Sequence, residues 1–203
     1  MKTLTRTLLL AALTAASGLF AACSSDKNED PAPADPTPAF KLGHYFDFTT
    51  VAPGGGTAHS GYGTTHPGRD ITGEASLAPS VLVLDFKANT DNAHFEIDRP
   101  KLAANWLGTY ALRSRSQLSA PVFTSYVYSL NGGSSIYRFS DTTSDLTGNV
   151  TVTAYDAKRQ LVSGTYEVRA AEQFEPGKTP SFNDPKCTII LAGDFENLKV
   201  KAL

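Results

Sequence analysis

The stretch from 147 to 168 reads TGNVTVTAYDAKRQLVSGTYEV, and its alternation decides the fold class. Val150, Val152 and Ala154 alternate with polar residues, which places apolar side chains on one face of a strand. After a polar turn at 156–160 the same alternation resumes. Two neighbouring runs with matched alternation predict a β-hairpin whose apolar face lines the core.

Short β-rich runs bounded by turn-forming residues continue on both sides of this hairpin. Further strands are predicted at 41–48, 93–97, 107–113, 122–130, 135–139 and 194–200. The run at 81–84 is apolar on both faces, so we expect it to lie centrally in a sheet and to be covered on both sides. The only helical candidate is a turn or two at 99–105, which opens with Pro100. About ten short strands with at most one short helical turn predict an all-β fold, an antiparallel sandwich or barrel.

The first 22 residues have the three parts of an export signal. Lys2 and Arg6 give a positive start, and the apolar run at 8–16 is shorter than the roughly 20 residues of a membrane-spanning helix. Small residues then precede Cys23, and this end of the chain resembles the lipobox of bacterial lipoproteins, whose cysteine is lipid-modified and begins the mature chain. Phe20 departs from the Leu, Val or Ile that the pattern usually has at that position. The alternative is an ordinary secretory signal that leaves Cys23 as a free thiol.

Three segments follow from this pattern: a signal peptide at 1–22, a lipidated cysteine with its tether at 23–38, and a single all-β domain at 39–203. The tether is acidic at first and then rich in proline, which makes a semi-rigid spacer. Its acidic cluster resembles the surface-export signals of Bacteroidota lipoproteins, although it also serves to keep a tether solvated. The resemblance implies acylation of Cys23, for example by palmitate, an outer-membrane location, and display at the cell surface.

Charge and cysteine content exclude two classes of protein. Loss of Lys2 and Arg6 from 18 basic residues leaves 16 against 20 acidic ones, so the mature chain is acidic and lacks the basic surplus of a nucleic-acid binder. The chain has two cysteines, and acylation of Cys23 leaves Cys187 without a disulfide partner. Cys187 opens an apolar run, which predicts a buried structural thiol.

A glycine-rich stretch at 54–68 has almost no apolar residues and is predicted to be a long loop. His59, His66 and Asp70 lie in or next to it and are the candidate ligands of a metal site, with a third ligand from His44 or His94. Their spacing matches no standard zinc pattern, and the simpler interpretation is a set of solvated loop side chains. We therefore expect no metal and no other cofactor.

Catalytic and binding candidates come from carboxylates and aromatic side chains. Asp85, Glu96 and Asp98 could form the carboxylate pair of a glycosidase, but carboxylates at strand ends are common. Aromatic residues on successive predicted strands offer a platform for sugars or peptides, or else core side chains with one satisfied polar group. These residues are Trp106, Tyr126, Tyr128 and Tyr137.

Four segments carry a resemblance to a protein family. They are WLGTYAL at 106–112, TGNVTVTAYD at 147–156, VSGTYEV at 162–168 and GDFENLKV at 193–200. Their order resembles that of small Bacteroidota lipoproteins with a domain of unknown function. The resemblance covers about the last 100 residues and implies strands and bends, with no catalytic residues to carry over. Two features depart from the pattern: Ala192 replaces the usual asparagine before Gly193, and the glycine-rich stretch is an insertion.

Together these observations predict a lipid-anchored cell-envelope protein whose domain is a non-enzymatic binding or structural module. Its expected partners are the membrane, through the lipid on Cys23, and a glycan or peptide ligand. The alternatives are an envelope hydrolase with a carboxylate and histidine site near the glycine-rich stretch, and a lipocalin-like carrier of an apolar ligand.

Overall fold

A computed structural model describes residues 34–51, 54–178 and 185–203 of the chain. Residues from Asp35 to Leu203 form one compact unit. Cys23, the export signal and most of the tether lie outside the described residues. Within the described ranges the chain forms eleven strands: β1 (Ala39–Val51), β2 (Thr57–His66), β3 (Thr72–Leu77), β4 (Val81–Lys87), β5 (Asp91–Asp98), β6 (Gly108–Ala111), β7 (Val122–Leu130), β8 (Gly133–Tyr137), β9 (Leu146–Asp156), β10 (Leu161–Gln173) and β11 (Cys187–Ala202).

The strands form two sheets that share β11. The first sheet has the order β2-β1-β11-β10-β9-β6, and the second has the order β3-β4-β5-β7-β8. The end of β11 passes from the first sheet to the second, where Val200–Ala202 pair in parallel with β3. At the far edges, Leu112 just after β6 bridges to Val122 at the start of β7. The fold is therefore all-β, with two sheets linked on both sides in a sandwich or barrel-like arrangement, as the sequence predicted.

The core lies between the sheets and is filled by aromatic rings. Phe86 and Phe95 of the second sheet face Tyr166 and Phe195 of the first, with ring centroids 5.0 to 5.3 Å apart. Every buried apolar side chain of the described residues lies between Leu42 and Val200. The tether residues that the structure describes, 34–38, are exposed and lie outside this core.

The hairpin predicted from the opening stretch is confirmed as β9 and β10. Val150 and Val152 are buried, but Ala154 is exposed, so its predicted core position is wrong. The cause is a β-bulge, because the pairing of the two strands shifts between Ser163 and Gly164. An extra residue in one strand moves the following side chains to the opposite face.

Strand β4 lies centrally in the second sheet, between β3 and β5, as predicted for the apolar run at 81–84. The prediction that both of its faces are covered is wrong. Leu82 and Leu84 are fully buried, whereas Val81 and Val83 are only partly buried. The fold is a two-sheet antiparallel one, in which a strand buries one face and leaves the other largely to solvent.

The glycine-rich stretch is not a long loop, because most of it forms β2. This strand pairs with β1 along ten residues, and a short 3-10 turn follows at Gly68–Asp70. The glycines explain why a sequence with few apolar residues becomes a strand here. A Cβ at Gly61 or Gly63 would collide with the backbone of β1, so only glycine permits this close pairing.

Short helical turns occur at three places in the described chain. One at Arg99–Lys101 has Pro100 at its start, as predicted. The other two were not predicted: the 3-10 turn at Gly68–Asp70 and a single α-turn, α1 (Phe139–Thr142), which replaces the end of the strand expected at 135–139. The described part of the chain contains no helix with the length and apolar character that crossing a membrane requires.

Candidate functional site

Three side chains from three strands meet between the two sheets. His44 lies in the middle of β1, where it alternates with the buried Leu42 and Phe46 and so faces the interior. His66 is the last residue of β2 and pairs with Leu42, which puts it on the same face. Asp91 is the first residue of β5 in the second sheet. The cluster of His44, His66 and Asp91 therefore joins the β1–β2 pair to the opposite sheet.

The contacts within this cluster are short and almost shielded from solvent. Nδ1 of His44 lies 2.8 Å from Oδ1 of Asp91, and Nε2 of His66 lies 2.5 Å from Oδ2. The exposed fractions of the three side chains are 3% for His44, 9% for His66 and 0% for Asp91. A carboxylate in such surroundings needs donors and a positive charge nearby to remain ionised.

Two hydroxyl groups add to the donors around Asp91. Thr90 donates a hydrogen bond of 2.7 Å to Oδ2, and the Tyr126 hydroxyl donates to Oδ1. Burial by itself raises the pKa of Asp91, but the nearby His44 ring and the hydrogen bonds from Tyr126 and Thr90 outweigh it and bring the pKa down to about 2. Asp91 is therefore an anion at any physiological pH.

The ring of His44 is fixed by aromatic neighbours. It stacks on Phe46 with centroids 4.6 Å apart at 16°, and the edge of Tyr128 meets it at 5.4 Å and 77°. Despite the 2.8 Å separation, the Asp91 oxygen does not lie in the direction of a hydrogen bond from Nδ1, so this nitrogen is buried without a well-directed partner. The short distance alone would suggest a satisfied pair, but direction decides whether a hydrogen bond forms.

The cluster offers two imidazole nitrogens and one carboxylate oxygen to a common point. One potential ligand atom from each residue lies within 4.8 Å of the other two. Nitrogen and oxygen donors of this kind suit first-row transition metals and zinc. The same arrangement can also hold a proton between Asp91 and an imidazole.

Only one of the three predicted metal candidates belongs to this cluster. His66 does, and the predicted third ligand, His44, joins it. His59 lies on the exposed part of β2, with Nδ1 3.3 Å from Asp47. Asp70 forms an ion pair with Arg69 at 3.7 Å, the only one it makes within the described ranges. Asp91 was missed, although an acidic residue in phase with the apolar face of β5 was a signal in the sequence.

The aromatic candidates do not form an exposed row. Tyr126 is fully buried and Tyr128 is 7% exposed, so their interpretation as core residues is confirmed. Tyr137 is partly buried, stacks with both Tyr126 and Phe139, and donates a hydrogen bond to the carbonyl of Phe174. Trp106 is partly buried and stacks on Tyr155, with centroids 3.9 Å apart at 11°.

The predicted carboxylate pair lies on the outer face of the second sheet rather than across a cleft. His94 separates Asp85 from Glu96, with Nδ1 2.7 Å from the first and Nε2 3.1 Å from the second. Asp98 instead contacts Arg113 at 2.7 Å and Lys101 at 3.0 Å. This geometry lacks the two opposed carboxyl groups that glycoside hydrolysis uses.

An open cleft of about 810 Å³ runs beside strand β8, at the edge of the second sheet. Its walls include Ile136 and Tyr137 on one side and Phe174 on the other. Ile136 is 71% exposed, which is unusual for so large an apolar side chain. The cleft therefore combines apolar surface with polar groups, among them Arg138 and Glu172.

Comparison of the chain with protein-family models, curated proteins and solved structures found no match.

Proposed function

We propose that the chain is a lipid-anchored cell-envelope protein that displays its β-domain as a non-enzymatic binding or structural module. The observation that carries this proposal is Cys23, which follows a charged start, a short apolar run and small residues. Fifteen residues, Ser24 to Pro38, separate it from the first strand. A lipid at Cys23 would hold the domain close to an outer-membrane surface without a spanning helix.

The resemblance of the chain to small Bacteroidota lipoproteins supports the same proposal. The acidic residues after Cys23 support display on the outer face of the cell, since they resemble the surface-export signals of such lipoproteins. The interior filled by Phe86, Phe95 and Phe195 favours a solid module over a carrier with a hollow interior.

The cleft beside β8 is the binding surface we propose for a glycan or peptide. Apolar and aromatic groups next to charged ones are what both ligand types contact. Ile136 is the most accessible large apolar side chain in its walls.

The anchor is tested in a Bacteroidota host that expresses the full chain. We expect Cys23→Ser to abolish labelling by an alkyne analogue of palmitate and to release the protein from membranes. Cys187→Ser is the matched control and should keep both properties, because this thiol is buried in the domain. Labelling that persists in Cys23→Ser would contradict the anchor, and a domain left uncut by protease on intact cells would contradict surface display.

The cleft is tested on glycan and peptide arrays with the chain from Ser24 onward. Ile136→Glu should lose any ligand that the unchanged chain retains, because it places a charge on the apolar wall. Leu118→Glu is the matched control, since Leu118 is equally exposed, at 71%, and lies outside the cleft. Absence of any ligand at millimolar concentration, or equal binding by Ile136→Glu, would remove this part of the proposal.

A further inference from the structure

We propose that His44, His66 and Asp91 bind one divalent transition-metal ion, with Zn²⁺ as the representative ion. Nothing in the proposed anchor or cleft requires this site, so the inference goes beyond the proposed function. Its basis is the convergence of one potential ligand atom from each residue within 4.8 Å. Because these residues come from β1, β2 and β5, the ion would connect the two sheets.

Charge is the first argument for a cation at this place. The Asp91 carboxyl group is wholly buried, and the only basic side chains paired with it among the described residues are His44 and His66. No lysine or arginine in the described ranges forms an ion pair with it. A buried carboxylate is costly without a positive partner. A divalent cation supplies that charge and uses both imidazoles in their neutral form.

The orientation of His44 is the second argument. Its Nδ1 is buried 2.8 Å from an Asp91 oxygen but has no well-directed hydrogen bond. Two atoms that bind the same ion need no such alignment, because each is directed at the ion. Tetrahedral zinc with bonds of about 2.1 Å places its ligand atoms about 3.4 Å apart. The nitrogens of His44 and His66 lie 2.8 and 2.5 Å from the Asp91 oxygens, which is shorter. To admit the ion, each of these two contacts must therefore widen by less than about 1 Å.

The surroundings of the three residues already hold them in place. Thr90 and Tyr126 donate to the Asp91 carboxylate, and Phe46 and Tyr128 pack against the His44 ring. Hydrogen bonds to a ligating carboxylate and fixed ring orientation are what metal sites use to raise affinity. The two nitrogen donors select against Ca²⁺ and Mg²⁺, which prefer oxygen ligands.

The test uses the purified chain from Ser24 onward, freed of metal with a chelator. Zn²⁺ binding is measured by competition with a chromophoric chelator, and Co²⁺ binding by visible absorption. We expect one ion per chain and an affinity at least a hundredfold lower in His66→Ala. His59→Ala should bind like the unchanged chain, because His59 lies on the same strand with its side chain 61% exposed.

A second variant separates a metal site from a purely structural cluster. Tyr126→Phe removes one donor to Asp91 and keeps the ring, so we expect affinity to fall by about ten- to a hundredfold.

Several outcomes would overturn the proposal: no binding of Zn²⁺ by the unchanged chain, or equal affinity in His66→Ala. If His66→Ala does not fold, the Co²⁺ spectrum of the unchanged chain decides. Strong four- or five-coordinate bands without a thiolate charge-transfer band support the site. A weak octahedral spectrum, or a thiolate band from Cys187, refutes it. Because this experiment uses a chain without Cys23, its failure leaves the anchor proposal untouched.

Discussion

His94 lies on the outer face of the second sheet, and its two ring nitrogens contact a carboxylate on either side. Asp85 of β4 accepts at 2.7 Å and Glu96 of β5 at 3.1 Å. The hydrogen bond with Asp85 raises the pKa of His94, burial opposes this, and Glu96 adds to the increase. Glu74 of β3 lies opposite Asp85 in the pairing of β3 with β4, and β7 places the uncharged Ser125 opposite His94.

A residue whose pKa rises on folding stabilises the domain most when it is protonated. The contribution of His94 is therefore complete below its ordinary pKa of about 6.5 and is lost as the pH rises through the higher pKa of the folded state. We expect His94→Gln to cost up to about 1 kcal/mol near pH 5.5 and close to nothing near pH 8.5, because partly exposed pairs are weak. Urea unfolding at both pH values measures the difference.

Asp85→Asn is the matched control, since it removes the charge and keeps the shape of the side chain. It should reduce the pH dependence in the same direction as His94→Gln. A stability difference that stays constant across this pH range would mean that His94 does not change its protonation on folding.

Strand β2 depends on the glycines that let it approach β1. It is an edge strand paired only with β1, and His66 at its end belongs to the His44, His66 and Asp91 cluster. A Cβ at Gly63 would collide with the carbonyl of His44 and lie 2.9 Å from Cα of Tyr45. Close pairing of these two strands is therefore what positions two of the three cluster residues.

Gly63→Ala should separate β2 from β1 and move His66 without changing a cluster residue. We expect a loss of about 1 to 3 kcal/mol in stability, as for other overpacked sites, and a tenfold or greater loss of Zn²⁺ affinity. Gly56→Ala is the control, because nothing lies within 4 Å of a Cβ at that position. Equal Zn²⁺ affinity in the two variants would show that the β1–β2 pairing does not position His66.

The strands differ in how well the sequence alone predicts them. Alternation predicted β9 and β10 because each strand buries one face, a property of the strand itself. It missed β2, because a glycine-rich strand pairs through its backbone and buries few side chains. The sequence suggested His66 and His44 as metal ligands but not Asp91. The packing of the second sheet against the first, which brings Asp91 to the histidines, is a long-range contact that no local pattern reveals. The sequence placed Ala154 in the core because no local pattern revealed the bulge at Thr153 in β9.

Strand β11 connects the two sheets, because it pairs with strands of both. Its first part pairs with β1 and β10, and its last residues pair with β3. Cys187, the first residue of β11, is 2% exposed. Burial, and then the charge of Glu175, raise the pKa of its thiol to about 11. Both features make this thiol unreactive while the strand is in place.

In the chain from Ser24 onward, Cys187 is the only thiol and Trp106 the only tryptophan. Exposure of Cys187 requires the start of β11 to leave β1 and β10, which breaks the pairing of a strand shared by both sheets. We therefore expect its reaction with an aromatic disulfide reagent to be at least about a hundredfold slower than in urea-unfolded chain. The urea midpoint for labelling should coincide with that for Trp106 fluorescence, as two-state unfolding requires.

Ile136→Cys combined with Cys187→Ser is the positive control and should react at once, because position 136 is exposed. Labelling of Cys187 at urea concentrations that leave Trp106 fluorescence unchanged would show that the start of β11 opens separately from the rest of the domain.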